Sequence, residues 1–169
     1  VNALVGATIG LERSILPAIA VYAAVSKELG LPLRFPGKLG AYNSLYQVTE
    51  STHFANAAIW AATEPRCGLE AFNITNGDYF RWKNLWPRLA EVFDMPVAEP
   101  QTIGLTQHMA DKGTLWQAMT TKYGLQPFAW DQLVGWPFAD YVFGSDWDVM
   151  TSTTKARQFG FHDVVDTED

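Results

Sequence analysis

One cysteine, Cys67, leaves no partner for an internal disulfide and no Cys-rich metal cage. It sits in EPRCG, a loop-like context that suits an ordinary thiol. Positive charge is also scarce. Lys+Arg number 12 against 18 Asp+Glu, a formal net charge of -6. No basic face is available to release counterions from a phosphate backbone, so a nucleic-acid partner is excluded. Long apolar runs are missing as well: the longest, 15–25, contains Pro17 and is too short to span a bilayer. The first residues lack the basic n-region of a signal peptide. A cytoplasmic protein with no membrane partner is the expectation. His53, His108 and His162 are far apart with no His-x-x-His spacing, so no metal is expected. Neither a G-x-S-x-G elbow nor a P-loop occurs. Asp111, Asp131, Asp140, Asp146 and Asp148 form no diagnosable acid–base pair and read as solvated surface.

What the chain has is apolar bulk. It is 48% hydrophobic and 14% aromatic over 169 residues, enough for one domain with a core. Val1–Val5 reads as a buried strand, followed by a Gly turn over 6–10. Ser14-Ile-Leu-Pro17 opens a helix that Gly30 stops, apolar on nearly all sides. Residues 31–37 are extended. Thr49 to Ser51 can cap a helix over 52–63 with Phe54, Ala58, Ile59 and Ala62 on one face. Leu69–Thr75 alternates as a strand, Asp78 is a candidate N-cap for a helix over 79–93, and Pro96 to Pro100 is a linker. Further helices are expected over 114–123 and 151–158, with a partly helical aromatic stretch at 129–143. Helices outnumber strands. That pattern is α/β or α+β, with a sheet too thin to stand alone.

The stretch GDYFRWKNLW (77–86) holds Tyr79 and Lys83 at the Y-x-x-x-K spacing used for proton transfer by short-chain dehydrogenases. On a helix, Trp82, Trp86, Leu89 and Phe93 would share one buried stripe, with Lys83 near its solvent edge. A catalytic Tyr needs a nearby cation and a nucleotide cleft. The aromatic neighbours here read as packing, so Tyr79 and Lys83 imitate the dyad.

The run AFNITNGDYFRWKNLW (71–86) resembles the AFN-x-x-NGD-x-F-x-W-x-x-x-W segment of the progesterone 5β-reductase/iridoid synthase-like family of extended short-chain dehydrogenases. Ala20-Val-Tyr-Ala-Ala24, Phe35-Pro-Gly37, Ala57–Ala62, Leu89-Ala-Glu91 and Ser152–Phe161 agree in order. The resemblance covers about 18–165. It implies a partial Rossmann-like α/β fold, mostly the helix-rich C-terminal substrate-binding portion, spanning 11–169. It implies reduction of an activated C=C or C=O (enone, aldehyde or ketone) with NADPH or NADH. A complete member is much longer, and its catalytic Tyr and Lys come earlier in the chain.

Residues 1–10 fit two readings. ALVGATIG is either a remnant of the family's first strand and Gly turn, with Gly6 and Gly10 as weak cofactor-binding candidates, or the strand that precedes the AVYA helix. The 128–143 stretch is aromatic beyond the needs of one helix face. It serves either as core or as the wall of a pocket for a flat apolar carbonyl substrate. The resemblance places Trp136, Phe138 and Tyr141 in that pocket, with Pro137 departing from the family's usual aromatic. The rival expectation is a non-catalytic binding or interaction module, whose uncovered apolar surface a partner or a homodimer would hide.

Overall fold

The opening strand, β1 (Ala3–Val5), lies parallel to β4 (Val48–Glu50), with Ala3 opposite Val48 and Val5 opposite Glu50. The computed structural model describes residues 3–6 and 14–168. Among them, strands pair only two by two. β2 (Leu33–Arg34) is parallel to β6 (Val97–Ala98), and β3 (Leu45–Tyr46) is antiparallel to β5 (Phe80–Arg81). The architecture is mixed α/β and rich in helix. The expected linker at 96–100 therefore contains a strand, β6, which ties it to the extended 31–37 segment.

Helix α1 (Ile15–Glu28) begins as expected. Pro17 falls in the first turn, where a backbone N–H has no intrahelical partner to lose. Gly30 ends it with a φ of 68°, a conformation a Cβ disfavours. Ile15, Ala18, Ile19, Val21, Tyr22, Ala23 and Val25 are all buried, so the helix is enclosed on most sides. After β2 come the short α2 (Leu39–Asn43), then β3, β4 and α3 (Ser51–Thr63).

The cap expected within Thr49 to Ser51 is there. The N-cap of α3 is Glu50, whose carboxylate accepts from the His53 N–H at 2.6 Å. The face that carries Phe54, Ala58, Ile59 and Ala62 points outward, with Phe54 50% and Ile59 63% exposed. The buried face is His53 and Ala57 instead. His53 is drawn inward because its ring Nε2 hydrogen-bonds the Thr75 carbonyl at 3.0 Å, and its ring packs on Phe161 at 5.3 Å. A polar side chain with a buried acceptor overrode the count of apolar residues.

The expected strand at Leu69–Thr75 forms no ladder, and Leu69 sits in a turn with a φ of 63°. Asn76 N donates to Val48 O at 3.0 Å, but the neighbouring carbonyl of Ile74 accepts from the Thr49 hydroxyl at 3.2 Å. Side chains of β4 take the place of a neighbouring strand. The chain then pairs as β5 before α4 (Trp82–Val92) begins, three residues later than the sequence suggests. Asp78 does not cap α4. Its carboxylate accepts from Thr167 N and Oγ1 at 2.8 and 2.7 Å, holding the C-terminal segment.

Helices α5 (Leu105–His108), α6 (Gly113–Tyr123), α7 (Trp130–Leu133), α8 (Trp136–Gly144) and α9 (Thr154–Gln158) complete the chain. Gly124 stops α6 at a φ of 64°. The main core is an aromatic knot. Phe35 meets Trp86 and Phe143 edge-on at 5.2 Å each, and Trp82 meets Phe80 at 5.0 Å and Phe143 at 5.3 Å. Edge-to-face geometry of this kind adds about 0.5–1.5 kcal/mol per pair beyond area burial. A smaller cluster of Ala57, Ala156 and Phe161, with Trp60, Phe72 and Ile74, joins α3 to α9.

Candidate functional site

Helix α8 carries the three pocket candidates, and it separates them. Trp136 is buried in the core, 5.9 Å from Trp130, which lies 6.1 Å from Trp116. Trp116 and Trp130 line a 320 Å³ cavity between α6 and the 127–130 segment, with Gln117, Thr120 and Phe128. Trp136 therefore backs that cavity without lining it. Phe138 is half-buried and Tyr141 is 54% exposed; their rings stack at 6.5 Å on the outer side of the helix. The i, i+3 spacing puts these two rings on one face.

Two features fix that face. Asp140 lies between the rings in sequence, and its carboxylate accepts from Leu105 N at 2.6 Å and Thr106 N at 3.0 Å, locking α8 to α5. Tyr46 is buried near Tyr141, and its hydroxyl is held well above the ordinary phenol range by burial, with Tyr141 adding to it. Phe138 and Tyr141 together present a flat apolar surface with one hydroxyl at its edge, an arrangement that suits stacking on a flat, uncharged molecule.

Asp140 was the residue that sequence reasoning missed. It belongs to the set of aspartates expected to be solvated surface, and three of that set have partners far away in sequence. Asp146 pairs with Lys38 at 3.3 Å and Asp148 accepts from Leu45 N at 2.9 Å. Backbone N–H groups at loop ends need acceptors. No local pattern says which distant aspartate supplies them.

Tyr79 and Lys83 do not share a helix. Tyr79 precedes β5, and Lys83 is the second residue of α4. Both are exposed. Cys67 is buried, and its thiol is pushed up by burial and then by the Glu64 carboxylate, which removes it as a nucleophile at neutral pH. No metal-binding group of three or more His, Cys, Asp or Glu occurs among the described residues. Nor is any helix among them long and apolar enough to cross a membrane.

A dinucleotide needs a glycine where backbone meets pyrophosphate. Gly6 uses its missing Cβ differently: an added Cβ would lie 2.3 Å from Ser51 Oγ and 2.8 Å from Ser51 Cβ. The space is filled by the first residue of α3. That packing does not fit a phosphate cradle, and Gly10 lies outside the described residues. Here β1 is joined in register to β4 and feeds α1 in sequence order.

The chain is similar to known plant enzymes. It is 35% identical over 88% of its length to an (S)-8-oxocitronellyl enol synthase of Camptotheca acuminata. It is 34% identical over 88% to a 3-oxo-Δ(4,5)-steroid 5β-reductase of Arabidopsis thaliana, and 30% identical over 88% to an (S)-8-oxocitronellyl enol synthase of Catharanthus roseus. The match takes in 39% of each of these relatives, so the chain spans about two-fifths of their length. No family model matches the chain. Over the region it covers, the chain is similar to progesterone 5β-reductase/iridoid synthase-like enzymes of the short-chain dehydrogenase superfamily.

Proposed function

We propose that this chain is the substrate-binding portion of an NAD(P)H-dependent reductase that reduces an activated C=C or C=O in an enone, aldehyde or ketone. The observation that carries this reading is the match over 88% of the chain to enzymes named for an 8-oxocitronellyl enol and for a 3-oxo-Δ(4,5)-steroid. Both names describe apolar molecules with an oxygen conjugated to a carbon–carbon double bond. The stacked Phe138 and Tyr141 supply a flat apolar contact of that kind, and Trp136 stiffens the helix beneath them. On this reading hydride comes from the nicotinamide, and the part of the α8 rings is substrate binding and orientation.

The test is made in the natural gene product that contains this region, supplied with NADPH or NADH and a Δ4-3-oxo-steroid or a linear enal. Cofactor oxidation that depends on the enone is the expected result. Phe138→Ala then raises KM or lowers kcat for bulky enones. Absence of turnover with every enone and carbonyl offered would overturn the reductase reading, and unchanged kinetics in Phe138→Ala would remove the pocket assignment alone.

A second reading has its own observation. The outward face of α3 carries Phe54 and Ile59, and the helix sequence STHFANAAIWAAT contains no Asp, Glu, Lys or Arg. Exposed helices ordinarily carry charge. A non-catalytic relative that associates through this face would show an intact natural mass near 18.8 kDa and a molar mass by light scattering that rises with concentration. Ile59→Lys would abolish that rise. A larger natural mass with enone-dependent turnover would end this second reading.

A further inference from the structure

A second cavity, of 230 Å³, lies away from α8, between α1 and α4. Its wall includes Ile15, Ile19, Phe80, Trp82, Leu85 and Leu89. Its rim holds Glu50, Asn76, Asp166 and Thr167, and no Lys, Arg or His lines it. Each polar side chain at the rim already has a protein partner. Glu50 accepts from His53 N at 2.6 Å and from Ser51 Oγ at 3.2 Å. Asn76 accepts from Glu50 N at 2.6 Å and donates to Thr167 Oγ1 at 3.0 Å. The Thr167 hydroxyl donates to Asp78 at 2.7 Å, and Asp166 accepts from Glu168 N at 3.0 Å.

We propose that this cavity is a binding site for a small, neutral, apolar molecule. Water gains little there, because the rim groups are engaged and the wall is carbon apart from the unpartnered indole N–H of Trp82, too few partners to hold a water. Apolar cavities of about 150 Å³ stay dry and accept benzene-sized rings, whereas drug-sized ligands need roughly 300–1,000 Å³. The ligand therefore falls between those sizes, a bicyclic or monoterpene-sized molecule. Charge selects further. Two carboxylates and no cation at the rim repel an anion entering a low-dielectric cleft. A cation would be drawn to the rim, but burying it against the apolar wall costs its hydration, which two rim carboxylates offset only in part. The site does not rest on the reductase reading, and Phe138 takes no part in it.

The experiment titrates the whole chain with α-tetralone, with 1-naphthoate as an anion of similar size and 1-naphthylmethylammonium as the cation. Binding is read by ligand-observed NMR, and intermolecular NOEs locate the probe. Saturable binding of tetralone is expected, with NOEs to the methyls of Ile19 and Leu85, and with 1-naphthoate at least tenfold weaker. Leu85→Trp, or Leu89→Phe if the first variant does not fold, fills the cavity and weakens tetralone at least tenfold. No saturation by tetralone, NOEs to the Phe138 ring instead of Ile19 and Leu85, or undiminished binding in a folded cavity-filling variant overturns the site. Tighter binding of 1-naphthylmethylammonium or 1-naphthoate than of tetralone overturns the neutral assignment.

Discussion

Asn76→Ala tests whether one buried amide holds three separate segments together. Asn76 is 2% exposed. Its Oδ1 accepts from Glu50 N at 2.6 Å, at the end of β4 and the start of α3. Its Nδ2 donates to Thr167 Oγ1 at 3.0 Å, in the C-terminal segment. Its backbone N–H donates to Val48 O at 3.0 Å, and its carbonyl accepts from Val165 N at 2.8 Å. Alanine keeps the backbone bonds and removes both side-chain bonds. Each such bond contributes about 0.5–1.5 kcal/mol net, and a buried Glu50 N–H left without an acceptor costs about 1–3 kcal/mol. The expected loss is about 2–4 kcal/mol, or roughly 5–15 °C in Tm for a domain of this size. Urea and thermal unfolding of wild type and variant measure it directly. Asn76→Asp separates the two bonds. It keeps an acceptor for Glu50 N but loses the donation to Thr167 and sets a charge near the Glu50 carboxylate. A loss under about 0.5 kcal/mol for Asn76→Ala would refute the reasoning, because surface polar changes already reach that size.

Further expectations can be checked with the same unfolding assays. Trp86→Ala empties the centre of the aromatic knot, where Trp86 is fully buried, and should cost about 3–5 kcal/mol, leaving a chain that is largely unfolded or melts far lower by circular dichroism. Asp140→Ala frees the α5 backbone donors and should cost about 1–3 kcal/mol, with faster hydrogen exchange confined to 104–109 while α1 stays protected. Gly77→Ala faces both a φ of 100° and a Cβ only 2.9 Å from Val164 Cγ1, so it should destabilise by more than Gly124→Ala, where the φ is 64° and nothing lies within 4 Å; equal melting temperatures would contradict this. The Glu50 carboxyl is held below the usual carboxylate range by the backbone N–H groups of Thr52 and His53. A lowered folded value means its stabilisation is fully present above the unfolded pKa near 4.3 and fades as pH falls through the folded value. The stability gap between wild type and Glu50→Gln should therefore close in acid; a gap that is constant from pH 7 down to pH 2 would show that the charge is not what caps α3.

Several elements were legible in the residues alone. Helix α1 announces itself through Pro17 in its first turn, an unbroken apolar body and Gly30 at its end, all local signals. Helix α6 and its Gly124 stop are equally local, and so is the buried Trp82–Trp86 pair on α4. The family resemblance was also legible, since AFNITNGDYFRWKNLW and its companion motifs are read in order without any coordinates. The candidate rings on α8 were named from that resemblance, and the structure adds that Phe138 and Tyr141 stack while Trp136 turns inward.

Tertiary structure decided the rest. Local periodicity groups apolar residues, and on α3 it put Phe54, Ala58, Ile59 and Ala62 on one face, which the structure turns outward. The Thr75 carbonyl, a partner 22 residues from His53 in sequence, turned the opposite face inward. The strand expected at 69–75 forms no ladder, and its Ile74 carbonyl is taken by the Thr49 hydroxyl, a partner invisible along the chain. Asp78 caps no helix because Thr167, 89 residues away, claims its carboxylate. Composition and spacing determined which residues seek burial. Which of them obtained it, and where a 230 Å³ apolar space was left between α1 and α4, depended on long-range polar partners fixing the backbone first.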